Sequence, residues 1–313
     1  MRFVCQFDYA ILLSINLPLK YQTFVKMDEQ NASDWRKGNS DKTLLPPKGN
    51  AIVVPMVPIE RQQSPPGAPT AHFRLRTLCL IGALLPGVGC YVCLFYTFLF
   101  QSDRIRNFTS SHCPNVLSRF PPVSYSIGVW QPQKSFWLFV LFLHMPARLF
   151  FGFMYKSQFA LGLSEYKNRS WYDKMVTAHV RLILLEMFGL VAVSIIDIDA
   201  QFVLHALAYF VWIASFNFNM LFNTILHHHS GIRKLRKSLE PLFYLKCAIC
   251  YGVAYPLSVS TGFTYFGYLF TCNSLFYSLF SLAEYIIVGV NSLFYFMMIW
   301  EMEGSELELY VRT

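Results

Sequence analysis

The sequence predicts an all-α fold, a multi-pass transmembrane helical bundle of about six spans. Three observations predict it. Of the 313 residues, 54% are hydrophobic and only 14% charged, against about 25% charged in soluble domains. Mean hydropathy is +0.37. After residue 76, apolar segments near the ~20 residues that a spanning helix needs recur to the end of the chain.

The elements follow in order. Residues 1–76 read as a disordered cytosolic tail, because PPKG, VVPMVP and SPPGAP sit in a polar, Pro-rich stretch that cannot bury enough apolar surface to fold. Its most apolar part, YAILLSINLPL, is too short to span and lacks a small-residue cleavage site. Met27 opens a plain cytosolic terminus, so residues 1–26 read as a gene-model extension. The spans are placed at about 77–100, 136–156, 180–198, 202–226, 242–263 and 275–300. GALLPGVG in the first reads as helix packing or a kink, not a phosphate loop. Lys246 and Pro256 make the fifth the weakest, re-entrant or tilted. The short DIDAQ turn makes spans three and four an antiparallel hairpin. Residues 301–313 form a C-terminal tail.

The net charge of +8 does not point to nucleic acid, because the basic residues gather beside apolar segments. That placement is a topology signal or a contact with anionic lipid heads. Arg74 and Arg76 precede span one, Lys156, Lys167, Arg169 and Lys174 flank the second loop, and Arg233, Lys234, Arg236 and Lys237 fill the fourth. The third and fifth loops carry no Lys or Arg; only loop one, with Arg104, Arg106, Arg119 and Lys134, dissents. By the positive-inside rule both termini are cytosolic. The sequon Asn107-Phe108-Thr109 then faces the lumen as a glycosylation acceptor, whereas those at Asn31 and Asn168 stay bare. Cys113 and Cys272 are the two clearly lumenal cysteines, and a disulfide between them is expected.

A charge inside a span costs a few kcal/mol, so it needs a partner or a purpose. His144, Arg148, Glu186 and Glu284 are such residues. His144 and Arg148 share a helix face, and counting depth matches Arg148 with Glu186 and His144 with Glu284. Three roles stay open for them: a structural lock, a grip on a lipid headgroup, and acid–base chemistry. Asn217, Asn219, Asn223 and Asn291 read as interhelical packing amides, His205 as a headgroup-level anchor. His227-His228-His229 reads as an interfacial basic loop and not a metal tract. No metal site is expected.

Several segments carry a resemblance. His112-Cys113-Pro114, PPVSYSIG and PQKSFWLFVLFLHMPARLFFGFMY resemble the first lumenal loop and second span of the post-GPI-attachment-to-proteins factor two family. The C-terminal LAEYIIVGVNSLFYFMMIWEMEGSELEL resembles it too, with Glu284, Tyr285, Asn291, Trp300 and Glu301 in its pattern. Glu186, His205, Cys113 and Cys272 also fall on family positions, and the likeness covers roughly residues 72–310. The chain departs at Asn219 and Tyr295, where the family has His, and at Tyr265-Phe266-Gly267-Tyr268, where it is basic. The resemblance implies a Golgi and endoplasmic reticulum membrane protein acting in lipid remodelling of GPI anchors, where a lyso-anchor regains an acyl chain. Its partners would be GPI lipid, GPI-anchored proteins, membrane lipids and other remodelling enzymes. No cofactor is evident, and the acyl donor is unidentified. On this reading His144 and Glu284 are catalytic, Arg148 with Glu186 binds the anionic headgroup or forms an ion pair, and the chain is an acyltransferase or an accessory factor of one. The six-span superfamily also includes DRAM-type autophagy modulators with different roles, and the alternative reading is a non-enzymatic membrane scaffold or a DRAM-like regulator of lipid or autophagy pathways.

Overall fold

A computed structural model describes residues 2–6, 21–27, 71–110, 112–303 and 305–311. It divides into two units, residues 1–75 with 304–313, and residues 76–303. In the first unit, strands β1 (Arg2–Gln6), β2 (Tyr21–Met27), β3 (Ala71–Arg74) and β4 (Ser305–Val311) pair antiparallel in the order β1-β2-β4-β3. The tail reading contains no such strands. Their signal is local: Ser305-Glu306-Leu307-Glu308-Leu309 alternates with the period of a strand. The Asn31 sequon and most of the tail lie outside the described residues.

The second unit is the membrane domain, and the chain is a multi-pass membrane protein. Six helices are long and apolar enough to span: Leu75–Phe100, Gln133–Leu161, Ser170–Ile195, Phe202–His229, Leu239–Thr271 and Ser274–Glu301. At 26 to 33 residues they outrun the ~20 needed, so each apolar window extends into its polar flanks. Span three starts at Ser170 because Trp171, Tyr172, Asp173 and Lys174 continue the helix ahead of its apolar run. Span two holds Pro146 and is re-set at Phe150 before Phe151–Leu161.

Span five is one helix from Leu239 to Thr271, with a wider π-helical stretch at Ala248–Ala254 in its middle. A π-bulge absorbs an irregularity without ending the helix. Spans three and four pack along one seam. At Gly189 a Cβ would sit 2.7 Å from the backbone nitrogen of Trp212, so the absent side chain sets how close the two backbones come.

The apolar core joins spans one, two, three, four and six through Cys90, Trp137, Val140, Leu190, Trp212 and Ile287. Outward-facing residues such as Phe95, Phe142, Phe188 and Phe263 are more than half exposed, as expected where the neighbour is lipid. A disulfide joins Cys113 of loop one to Cys272, 5.8 Å apart at Cα. It sits at one end of the bundle, where spans five and six meet.

Candidate functional site

Three buried polar groupings occupy the membrane domain. The first surrounds Arg148. Its Nη1 lies 3.4 Å from Glu186 Oε1, its Nη2 donates to Asn291 Oδ1 at 2.6 Å, and its Nε donates to the Gly82 carbonyl at 3.0 Å. Glu186 in turn accepts from Asn291 Nδ2 at 2.7 Å, Tyr295 Oη at 2.6 Å and Asn219 Nδ2 at 3.1 Å. The guanidinium also stands 4.6 Å from the Tyr295 ring. Arg148 and Glu186 are 1% and 0% exposed. Each guanidinium nitrogen has a partner on span one, three or six, and the side chain is closed off from the surface.

The second grouping lies toward the end of the bundle opposite the disulfide. Lys246 Nζ is 2.6 Å from Glu301 Oε1 and donates to Tyr155 Oη at 2.9 Å and Asn223 Oδ1 at 3.0 Å. The ammonium also faces the Phe294 ring at 4.7 Å. His227 Nε2 lies 3.4 Å from the same carboxylate. The three consecutive histidines diverge: His227 is buried, His228 contacts Arg233, and His229 packs on Tyr166 and Trp171. They do not share a ligand position, so His227 belongs to the interior and not to a basic loop. Beside them Lys167, outside the spans, donates to the carbonyls of Ala160 and Gly162, and burial pulls its ammonium down to about 8.

The third is a cavity of about 800 Å³ between spans four, five and six at the disulfide end. Small-molecule sites run from about 300 to 1,000 Å³. Its long wall is apolar, with Phe210, Ile213, Phe218 and Val259. Its polar end gathers Ser124, His205 and Glu284. Loop one roofs it: Ser110 hydrogen-bonds Tyr268, and His112 Nε2 lies 3.1 Å from the Leu269 carbonyl. The Cys113–Cys272 disulfide pins that roof to the end of span five.

The PPVSYSIG segment is positioned from span six. Pro122 starts the short helix Val123–Gly128. Glu284 Oε2 accepts from the Val123 N–H at 2.9 Å, and the next residue, Tyr285, donates its hydroxyl to the Pro121 carbonyl. The Glu-Tyr pair thus holds the segment that presents Ser124. Tyr125 donates to Asp199 Oδ1 at 3.1 Å; burial, then the Asp199 carboxylate, push its phenol well up, so it stays a donor. His205 Nδ1 lies 2.8 Å from the Ile196 carbonyl and Nε2 lies 2.8 Å from Ser124 Oγ.

The structure therefore unites Arg148 with Glu186 but does not pair His144 with Glu284. His144 is fully buried, Nδ1 turned onto the Val140 carbonyl of its own helix at 2.7 Å, and it does not line the cavity. Asn107 sits on an open groove beside Trp130 and Asp199, its amide donating to the Asp103 carbonyl. Sequence reasoning misses Ser124 and the Lys246–Glu301 pair. Ser124 has no signal of its own. Lys246 has one: a charge inside an apolar window requires a partner, as Glu186 does.

Residues 74–305 match the family described as Frag1/DRAM/Sfk1/Cwh43P N-terminal domain. A Drosophila melanogaster protein named post-GPI attachment to proteins factor 2-like is 27% identical over 72% of this chain and 68% of its own length. Post-GPI attachment to proteins factor 2 of the same fly is 25% identical over 79% of this chain and 92% of its own. A Xenopus tropicalis protein named acyltransferase PGAP2 is 24% identical over 80% and 96%. No solved structure matches the chain.

Proposed function

We propose, for a chain that belongs to the Frag1/DRAM/Sfk1/Cwh43P N-terminal domain family, that it acts in lipid remodelling of GPI anchors by re-acylating the lyso-anchor. The relatives named for post-GPI attachment, and one named an acyltransferase, support this reading. The single observation that carries it is the cavity: an apolar slot of about 800 Å³ inside the membrane domain that ends in Ser124, His205 and Glu284. An acyl chain suits the apolar wall, and the ester or hydroxyl of a lipid suits the polar end. Both termini are cytosolic on the charge pattern, so this end faces the lumen of the Golgi and endoplasmic reticulum, where GPI lipids and GPI-anchored proteins lie and where a disulfide persists. Arg148 and Glu186 serve as an internal lock, because their atoms are spent on one another and on Asn291.

The test is surface display of GPI-anchored proteins, by flow cytometry, in cells lacking the family member. The full chain is expected to restore display. A Gly262→Trp variant is expected to reach normal abundance and restore little: Gly262 lines the cavity, a Cβ there meets no atom within 4 Å, and the indole beyond it takes up space that an acyl chain would occupy. A well-expressed wild type that restores nothing would favour a DRAM-type regulatory role instead.

A further inference from the structure

We infer that Ser124 is an acyl-carrying nucleophile and His205 its general base, so that the acyl chain passes through a covalent Ser124 ester on its way to the lyso-lipid. This deepens the re-acylation reading and rests on it. Neither residue owes its place to packing alone. His205 is 4% exposed, and both of its ring nitrogens are engaged. Nδ1 faces a carbonyl oxygen, which can only accept, so Nδ1 carries the proton. The neutral ring then presents its lone pair at Nε2, 2.8 Å from Ser124 Oγ, and the serine hydroxyl must be the donor. That is the arrangement an activated serine requires: a hydroxyl donating to a base that a third group holds in the right tautomer.

The surroundings fit the chemistry. Ser124 and His205 both line the cavity, and Ser124 is partly exposed to it. Glu284 and Tyr285 fix the segment on either side of Pro122, making Glu284 a positioning residue for Ser124. Tyr209 also lines the cavity, its hydroxyl oxygen buried and without a hydrogen-bond partner. A buried unpaired donor is costly, and here it can donate to the oxyanion of an attacked ester.

The steps balance. Ser124 Oγ attacks the carbonyl carbon of an acyl donor, a phospholipid ester or an acyl thioester, as its proton passes to His205 Nε2. The donor's C–O or C–S bond breaks, and the leaving oxygen or sulfur takes that proton. The free glycerol hydroxyl of the lyso-lipid then gives its proton to Nε2 and attacks the Ser124 ester. The C–Oγ bond breaks, and Oγ recovers the proton. No oxidant or reductant is needed.

The experiment uses the purified full chain in detergent, with alkyne-tagged palmitoyl-CoA in one arm and alkyne-tagged phosphatidylcholine in the other. Neutral hydroxylamine strips thioesters from the chain's own cysteines, and mass spectrometry reads the peptide spanning residue 124. An acyl oxyester on Ser124 is expected in one arm, which identifies the donor class. It should be absent in Ser124→Ala and formed about 100-fold more slowly in His205→Ala. In Ser124→Cys, with the peptide spanning residue 124 read before hydroxylamine is added, the label should return as a thioester that hydroxylamine then removes, which separates a lost nucleophile from a lost fold. Residue 124 unmodified in both arms, in wild type and in Ser124→Cys, overturns the proposal. An acylated Ser124 in a chain that fails to restore display would leave the relay standing and remove the GPI assignment.

Discussion

Glu186→Ala is expected to cost about 3–5 kcal/mol of stability, the usual result of removing one member of a buried ion pair. The loss is larger than that of a single contact because Glu186 is the hub. Its two oxygens face Arg148 and accept from Asn219, Asn291 and Tyr295, which reach it from spans two, four and six. Removal leaves a guanidinium that is 1% exposed with Asn291, the Gly82 carbonyl and the Tyr295 ring to answer it, and no counter-charge among them. The Tyr295 hydroxyl loses its acceptor as well. Removing Arg148 together with Glu186 should cost clearly less than the two single losses added, because the residues act through one network. Melting in detergent, followed by size-exclusion fluorescence, measures all three variants. A Glu186→Ala protein that melts with the wild type would contradict the lock and restore the headgroup role of Arg148.

Glu301→Ala is expected to have a loss of the same size, about 3–5 kcal/mol, at the end of the bundle opposite the disulfide. Lys246 is fully buried, and Glu301 is its counter-charge at 2.6 Å. Without it the ammonium keeps Tyr155, Asn223 and the face of Phe294, which solvate it but do not neutralise it. Lys246→Met should lose less, because the thioether fills the same slot and Glu301 retains His227 at 3.4 Å. The ranking is read by abundance in membranes and by the same melting assay. Equal losses in the two variants would mean that shape, and not charge, decides this site.

The legible and illegible parts of the molecule divide along one physical line. Hydropathy and loop charge carry the six spans, because burial in lipid depends on composition and length alone. Depth along a span is also legible: counting residues brings Arg148 and Glu186 to one level, and the structure joins them. Azimuth is not legible. His144 and Glu284 lie at matching depths, yet the His144 ring bonds to the Val140 carbonyl of its own helix and stays out of the cavity. Glu284 instead meets the Val123 N–H, 161 residues away in the chain. The fifth span reads as irregular because of Lys246 and Pro256; the irregularity is a π-helical stretch at Ala248–Ala254, and Lys246 is anchored by Glu301, Tyr155 and Asn223 rather than out of place. Ser124 could not be singled out from sequence. Its chemistry comes from His205, 81 residues on, and from a tautomer that the Ile196 carbonyl sets.

If this chain returns an acyl chain to the lyso-GPI anchor, the anchor lipid itself records it. GPI-anchored proteins would be isolated from cells lacking the family member, with and without the full chain, and their inositol lipids weighed by mass spectrometry. Lyso-anchors are expected to give way to anchors with two chains when the protein is present, and to remain lyso-forms with Gly262→Trp. Lyso-anchors that persist beside abundant wild-type protein would contradict re-acylation by this chain.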